Sequence, residues 1–122
     1  MKTIKGNKKI GNEIGRLGES VACRFLTGKG FTIIDRNYQK KWGEIDIVAR
    51  RGNKVYFVEV KSVSCEKGDF VVTHETSGKY RPEDNVHPAK LKRIARTIQS
   101  YLASENISPE TLWQFDLITV KL

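Results

Sequence analysis

The residues best equipped for chemistry are Asp46, Glu59 and Lys61. They lie in the segments Gly43-Glu44-Ile45-Asp46-Ile47-Val48-Ala49 and Val55-Tyr56-Phe57-Val58-Glu59-Val60-Lys61. The first alternates as a strand does, and the second is rich in β-branched and aromatic residues. Arg51-Gly52-Asn53-Lys54 between them supplies a turn, so the pair reads as a hairpin. Side chains two apart in a strand share a face, which sets Glu44 with Asp46, and Phe57 with Glu59 and Lys61. Glu59 and Lys61 interrupt an otherwise apolar run, and either charge would be costly to bury unpaired. Each other, a metal ion or water at a cleft must compensate.

Across a hairpin Asp46 and Glu59 can approach, and two close carboxylates repel. A hard cation is their natural neutraliser. Mg²⁺ or Mn²⁺ would take these oxygens, keep several waters and accept phosphate oxygens as well. It would stabilise charge building on a phosphate and lower the pKa of an attacking water. Lys61 would hold or deprotonate that water, or neutralise the transition state. These are the working parts of phosphodiester hydrolysis. The plainer reading of the same residues is a cross-strand salt-bridge cluster on a solvated sheet face.

Several elements must position these groups. From about Asn12 to Lys29, Ile14, Leu17, Val21, Ala22, Phe25 and Leu26 recur at three- and four-residue steps, which predicts a helix with one buried stripe, ended by Gly28 and Gly30. Phe31–Ile34 follows as a short strand. A second helix is expected from Pro88, with Leu91, Ile94, Ala95, Ile98 and Leu102 as its stripe and Tyr101 beside it. Ser108-Pro109-Glu110 makes a turn before a last strand, Trp113–Val120. Residues 62–86 are polar and carry glycine; a strand at Phe70–Thr73 is the one element expected there, and the rest reads as a flap or loop. The order helix, strands, helix, strand argues an α/β fold with a mixed sheet flanked by helices.

The chain has 122 residues, the size of one domain, taken as residues 12–122 behind a loose basic arm over 1–11. Lys and Arg number 22 against 14 Asp and Glu, a formal charge of +8. Such a surplus favours polyanionic partners, nucleic acid above all. No apolar run approaches membrane-spanning length, and the basic start has no hydrophobic block behind it as a secretory signal would. Cys23 and Cys65 show no metal-finger spacing and read as reduced thiols, so a cytoplasmic protein is expected, with no membrane association.

Asp46 followed thirteen residues on by Glu59-Val60-Lys61 resembles the PD-(D/E)xK signature of restriction-endonuclease-like nucleases, with Ile45 where that signature has proline. Gly15-Arg16-Leu17-Gly18-Glu19, Trp42–Ala49, Val58–Ser62 and Val86–Arg93 together resemble the UPF0102 (YraN) family over most of the chain. That resemblance implies a restriction-endonuclease-like fold similar to archaeal Holliday junction resolvases, and hence cleavage selective for DNA structure. It also implies that a first-helix glutamate, here Glu19, completes the site. The helical phase of Glu19, at the border of the apolar stripe beside Leu26, fits independently. Ser64 to Asp84 looks longer than the family pattern, and no residue in it inherits a role.

Other residues carry two readings each. Glu44 is a second carboxylate orienting a ligand or the solvent-side entry of its strand. Lys90, Lys92, Arg93 and Arg96 form a solvated helix face or a phosphate-binding one. Tyr38 and Trp42, bracketing Lys40 and Lys41, stack on exposed bases or pack in the core. Asp116 is expected to make a structural hydrogen bond, and His87 a turn or cap at the helix start; neither His87 nor His74 has metal-ligand spacing. The leading expectation is a metal-dependent endonuclease on branched DNA, for which a two-fold dimer would suit paired cuts. Its rivals are a catalytically inactive nucleic-acid-binding module or scaffold and, with least support, a protein that docks its basic face on an acidic partner or membrane.

Overall fold

The computed structural model describes residues 2–63, 71–76 and 88–122. The elements run α1 (Lys2–Gly28), β1 (Thr32–Lys40), β2 (Gly43–Arg51), β3 (Lys54–Val63), β4 (Val71–Thr76), α2 (Pro88–Ser104) and β5 (Leu112–Lys121). The strands form one five-stranded mixed sheet in the order β1-β2-β3-β5-β4. β1, β2 and β3 are an antiparallel meander, β5 runs parallel to β3, and β4 closes the far edge antiparallel to β5. This is the mixed α/β architecture expected, consistent with a restriction-endonuclease-like arrangement.

One helix covers each face. On one side Ala22 and Leu26 of α1 pack with Phe31, Ile47, Ala49, Tyr56, Val58, Ile118 and Val120. On the other, Ile94, Ile98 and Tyr101 of α2 pack with Ile45, Val48, Val55, Phe57 and Phe115. The central strands are therefore apolar on both faces, which is why Val55-Tyr56-Phe57-Val58 reads as an unbroken run. Two tight approaches hold the helices down. A methyl group at Gly18 would overlap the Ser62 hydroxyl, and one at Gly43 would stand 2.7 Å from Thr97 Oγ1. Thr97 is itself fully buried and donates its hydroxyl to the Arg93 carbonyl at 2.7 Å.

The structure departs from the sequence expectations in several places. Residues 2–11, expected as a loose arm, are the first turns of α1. β1 runs six residues past Ile34, through the polar Asp35–Lys40, because an edge strand needs only backbone pairing to β2. Leu17, assigned to the α1 stripe, is 50% exposed, and in α2 Leu91 and Ala95 are exposed while Thr97 and Tyr101 are buried. The strand expected at Phe70–Thr73 is found as β4, one residue later at its start. The expectations for Cys65, His87 and a flap over 64–84 fall wholly or mostly outside the described residues.

Candidate functional site

The β2–β3 ladder runs from the turn as far as Ile47↔Val58 and stops there, although both strands continue. Beyond that step β2 stays paired with β1 down to Gly43, while β3 stays paired with β5 up to Val63. The two central strands therefore part and leave a notch. Asp46, which the register would set opposite Glu59, bridges it: its Oδ2 accepts the Val60 N–H at 2.8 Å. A side chain thus takes over a hydrogen bond that the backbone ladder gives up.

The alternation of β2 also changes at Asp46. Ile47 belongs to the α1 side and Ile45 to the α2 side, although a regular strand would face them alike. Glu44, two residues before Asp46, remains close enough to raise its carboxyl. The neighbouring strand is irregular at the same level. Asn37, set opposite Asp46 by the flanking pairs Arg36↔Ile47 and Tyr38↔Ile45, has a φ of 55°. That left-handed conformation is one Asn tolerates better than bulkier residues do. Such local breaks re-aim side chains, and they recur beside active sites.

Acidic groups from three elements converge on the notch. Burial, first, and then the charges of Glu19, Glu59 and Glu44 push the Asp46 carboxyl up to about 7, against the pull of the Val60 N–H. Glu19, carried in by α1 through the Gly18–Ser62 approach, is likewise raised by burial and by Glu44; Arg36 and an Asn37 side-chain hydrogen bond pull it back. Its Oε1 is buried and has no hydrogen-bond partner among the described residues, with the Arg36 guanidinium 4.0 Å away. Glu44 accepts from Gln39 Nε2 at 3.1 Å. Glu59 is paired: Lys90 Nζ, from the first turn of α2, lies 2.6 Å from its Oε1. Lys61 is exposed two residues beyond Glu59.

Glu19, Glu44 and Glu59 all lie close enough to Asp46 to raise its carboxyl, and Glu44 close enough to raise Glu19 as well. Lys90, expected on a phosphate-binding face, is drawn onto Glu59. Lys92 and Arg93 are exposed on α2. The Arg96 guanidinium stacks over the half-buried Trp42 ring at 4.2 Å, so this tryptophan has one face covered by protein. Arg36 and Asn37 were missed. Their signal, a polar run after an apolar strand, is that of a loop; only the pairing with β2 gives them a place beside Glu19.

A buried carboxylate oxygen with no donor among the described residues, beside a cluster of repelling acids, is chemistry that suits a hard cation. Among the described residues no three His, Cys, Asp or Glu side chains close on one point tightly enough to hold an ion alone. Asp46 and Glu59, with Glu19 beside them, are the residues that would hold a divalent ion here, leaving the rest of its ligands to water and substrate oxygens.

Away from the notch, His74 of β4 and Asp116 of β5 are joined at 2.6 Å, and Gln114 Nε2 donates to the second Asp116 oxygen at 2.7 Å. Asp116 is fully buried, as its expected structural hydrogen bond requires. No helix among the described residues is long and apolar enough to cross a membrane.

Comparison with known proteins agrees with this whole-chain pattern. The family model described as "Uncharacterised protein family UPF0102" matches residues 18–120, from Gly18 beside the helix glutamate through the last strand. A UPF0102 protein of Campylobacter jejuni is 36% identical over 107 residues, covering 88% of this chain and 82% of its own. One from Chlorobium limicola is 39% identical over 111 residues, covering 89% and 75%. A third, from Thermotoga petrophila, is 36% identical over 101 residues, covering 83% and 82%. Glu19, Asp46, Glu59, Lys61 and Lys90 all fall inside the matched region, and the chain belongs to the UPF0102 family.

Proposed function

We propose that this protein is a Mg²⁺- or Mn²⁺-dependent endonuclease of the PD-(D/E)xK type that acts on DNA, with branched, Holliday-junction-like DNA as its preferred structure. The observation that carries the reading is the notch between β2 and β3, where Asp46, Glu59 and Glu19 arrive from two strands and a helix. In this reading Asp46 and Glu59 hold the ion, Glu19 assists it, and Glu44 tunes Asp46. The bound ion supplies charge stabilisation at the phosphate and a more acidic water. Asp46 is kept at a fixed angle by the Val60 N–H. Lys61 holds or deprotonates the attacking water, and Lys92 and Arg93 draw in the sugar-phosphate backbone.

A second reading has one observation in its favour. Lys90 already neutralises Glu59, so the acidic cluster has an internal counter-ion and the fold could serve as a nucleic-acid-binding module without turnover. One experiment separates the two. The purified chain is incubated with a labelled four-way junction and a matched linear duplex, with Mn²⁺ or with EDTA. Nicking that needs Mn²⁺ and is lost in Glu59→Ala and Lys61→Ala, both folded by circular dichroism, supports the nuclease. Salt-sensitive binding, unchanged by EDTA and without cleavage, supports the binding module. Nicking that persists in both variants defeats the proposed site.

A further inference from the structure

Lys90 stands in an electrostatically awkward place. It is the third residue of α2, within the first turn, where the unpaired N–H groups and the helix dipole present positive charge. The first turn of α2 holds no acidic residue to offset it. A lysine there is disfavoured unless an anion from another element meets it, and Glu59 does so at 2.6 Å. The lysine side chain is 46% exposed and the glutamate side chain 24%, so the pair is reachable from solvent and neither partner is locked in.

Glu59 is also the carboxylate that the endonuclease reading gives to the divalent ion. One carboxylate oxygen does not serve an ammonium at this distance and a hard ion at full strength together, since the two cations repel. We propose that Lys90 is the exchangeable counter-ion of Glu59: a divalent cation and the Lys90 ammonium compete for the carboxylate, and the displaced ammonium becomes available to a nucleic-acid phosphate. This deepens the endonuclease reading and rests on it. Competition of this kind makes ion binding and phosphate binding mutually reinforcing, because each draws one partner away from the Lys90–Glu59 pair.

The test is calorimetric titration of Mn²⁺ into the full chain, in wild type, Lys90→Met, Lys90→Arg and Glu59→Gln. Since a partly exposed ion pair is the competitor, Lys90→Met is expected to bind Mn²⁺ roughly two- to tenfold more tightly than wild type. Lys90→Arg is expected close to wild type, and Glu59→Gln to lose the ion. A parallel measurement of junction-DNA binding with Ca²⁺ added should show wild-type affinity rising with the ion, and Lys90→Met losing most of that rise. If wild type binds Mn²⁺ through Glu59 and Lys90→Met binds it equally or less tightly, the exchange is overturned while the ion site stands. If no variant binds Mn²⁺, the ion site and the exchange fail together.

Discussion

Asp46 and Val60 are tied across the notch by a carboxylate-to-amide hydrogen bond of 2.8 Å, one step past the last backbone pair of β2 and β3. The bond fixes the Asp46 side chain where the two strands separate. Because the donor is a main-chain N–H, only a proline at position 60 would remove it directly. The bond also holds Asp46 buried and among other acids, and these push its carboxyl up to about 7.

That titration predicts a pH signature in stability. In the unfolded chain an aspartate ionises near ~4, whereas burial and the neighbouring acids hold folded Asp46 to about 7. Between those values the folded state binds a proton that the unfolded state lacks, so this group makes stability fall as pH rises through the window, with the loss complete above it. Asp46→Asn keeps an acceptor for Val60 but cannot ionise. It should stabilise the protein at pH 8 by about 2–4 kcal/mol and make little difference at pH 4. Urea melts of both proteins at the two pH values check this; an equal effect at both would contradict it.

Gly18 predicts a coupled pair. A methyl at this position collides with the Ser62 hydroxyl, so Gly18→Ala should push α1 and Glu19 off the sheet and cost about 1–3 kcal/mol. Ser62→Gly opens the space. The double variant should be no less stable than Ser62→Gly alone, a non-additivity that urea denaturation of the four proteins would reveal. Additive losses would place the Gly18 requirement elsewhere.

The His74–Asp116–Gln114 group predicts a stability role distinct from chemistry at the notch. Asp116→Ala leaves a half-buried imidazole and an amide facing a cavity, and should cost about 2–4 kcal/mol by chemical denaturation. Asp116→Asn, which retains the shape and one acceptor, should cost less. Mn²⁺ binding by the folded Asp116→Asn protein should match wild type. A loss of ion binding with stability intact would mean that this group belongs to the site.

Lys92 and Arg93 are exposed on α2 and predict a salt effect on nucleic-acid binding. If each meets one phosphate of duplex DNA, the double alanine variant should lower the slope of log K against log salt by about 0.9 per lost contact. Fluorescence anisotropy across a salt series measures it. An unchanged slope would move the DNA to another face.

Much of this architecture was readable from residue order because the central strands announce themselves. Val55–Val58 is apolar without a break, Arg51-Gly52-Asn53-Lys54 turns, and Ile94 with Ile98 repeats at helical spacing. Asp46 and Glu59 could be paired from strand spacing, Glu19 joined them through the family resemblance with its helical phase in agreement, and the structure brings the three to one notch. What was hidden depends on tertiary pairing. Asp35–Lys40 has no apolar rhythm, and only β2 makes it a strand. Leu17 and Leu91 have the right spacing to be buried, but each helix lies on the sheet along a narrower line than its apolar stripe. Asn37 beside Glu19, and Lys90 on Glu59, are contacts between distant segments that no local pattern encodes.

The insertion of β5 between β3 and β4 has a consequence for how the molecule comes into being. The meander β1-β2-β3 can assemble from contiguous chain, but the strand bearing Glu59 and Lys61 has an open flank until residues emerging after α2 dock beside it. Among the described strands, β4 pairs only with β5 and so waits on the same event. A nascent chain would thus hold an unpaired, apolar-rich border until β5 has emerged. Arrival of Leu112–Lys121 would seal this border and join β4 to the sheet in a single closing step.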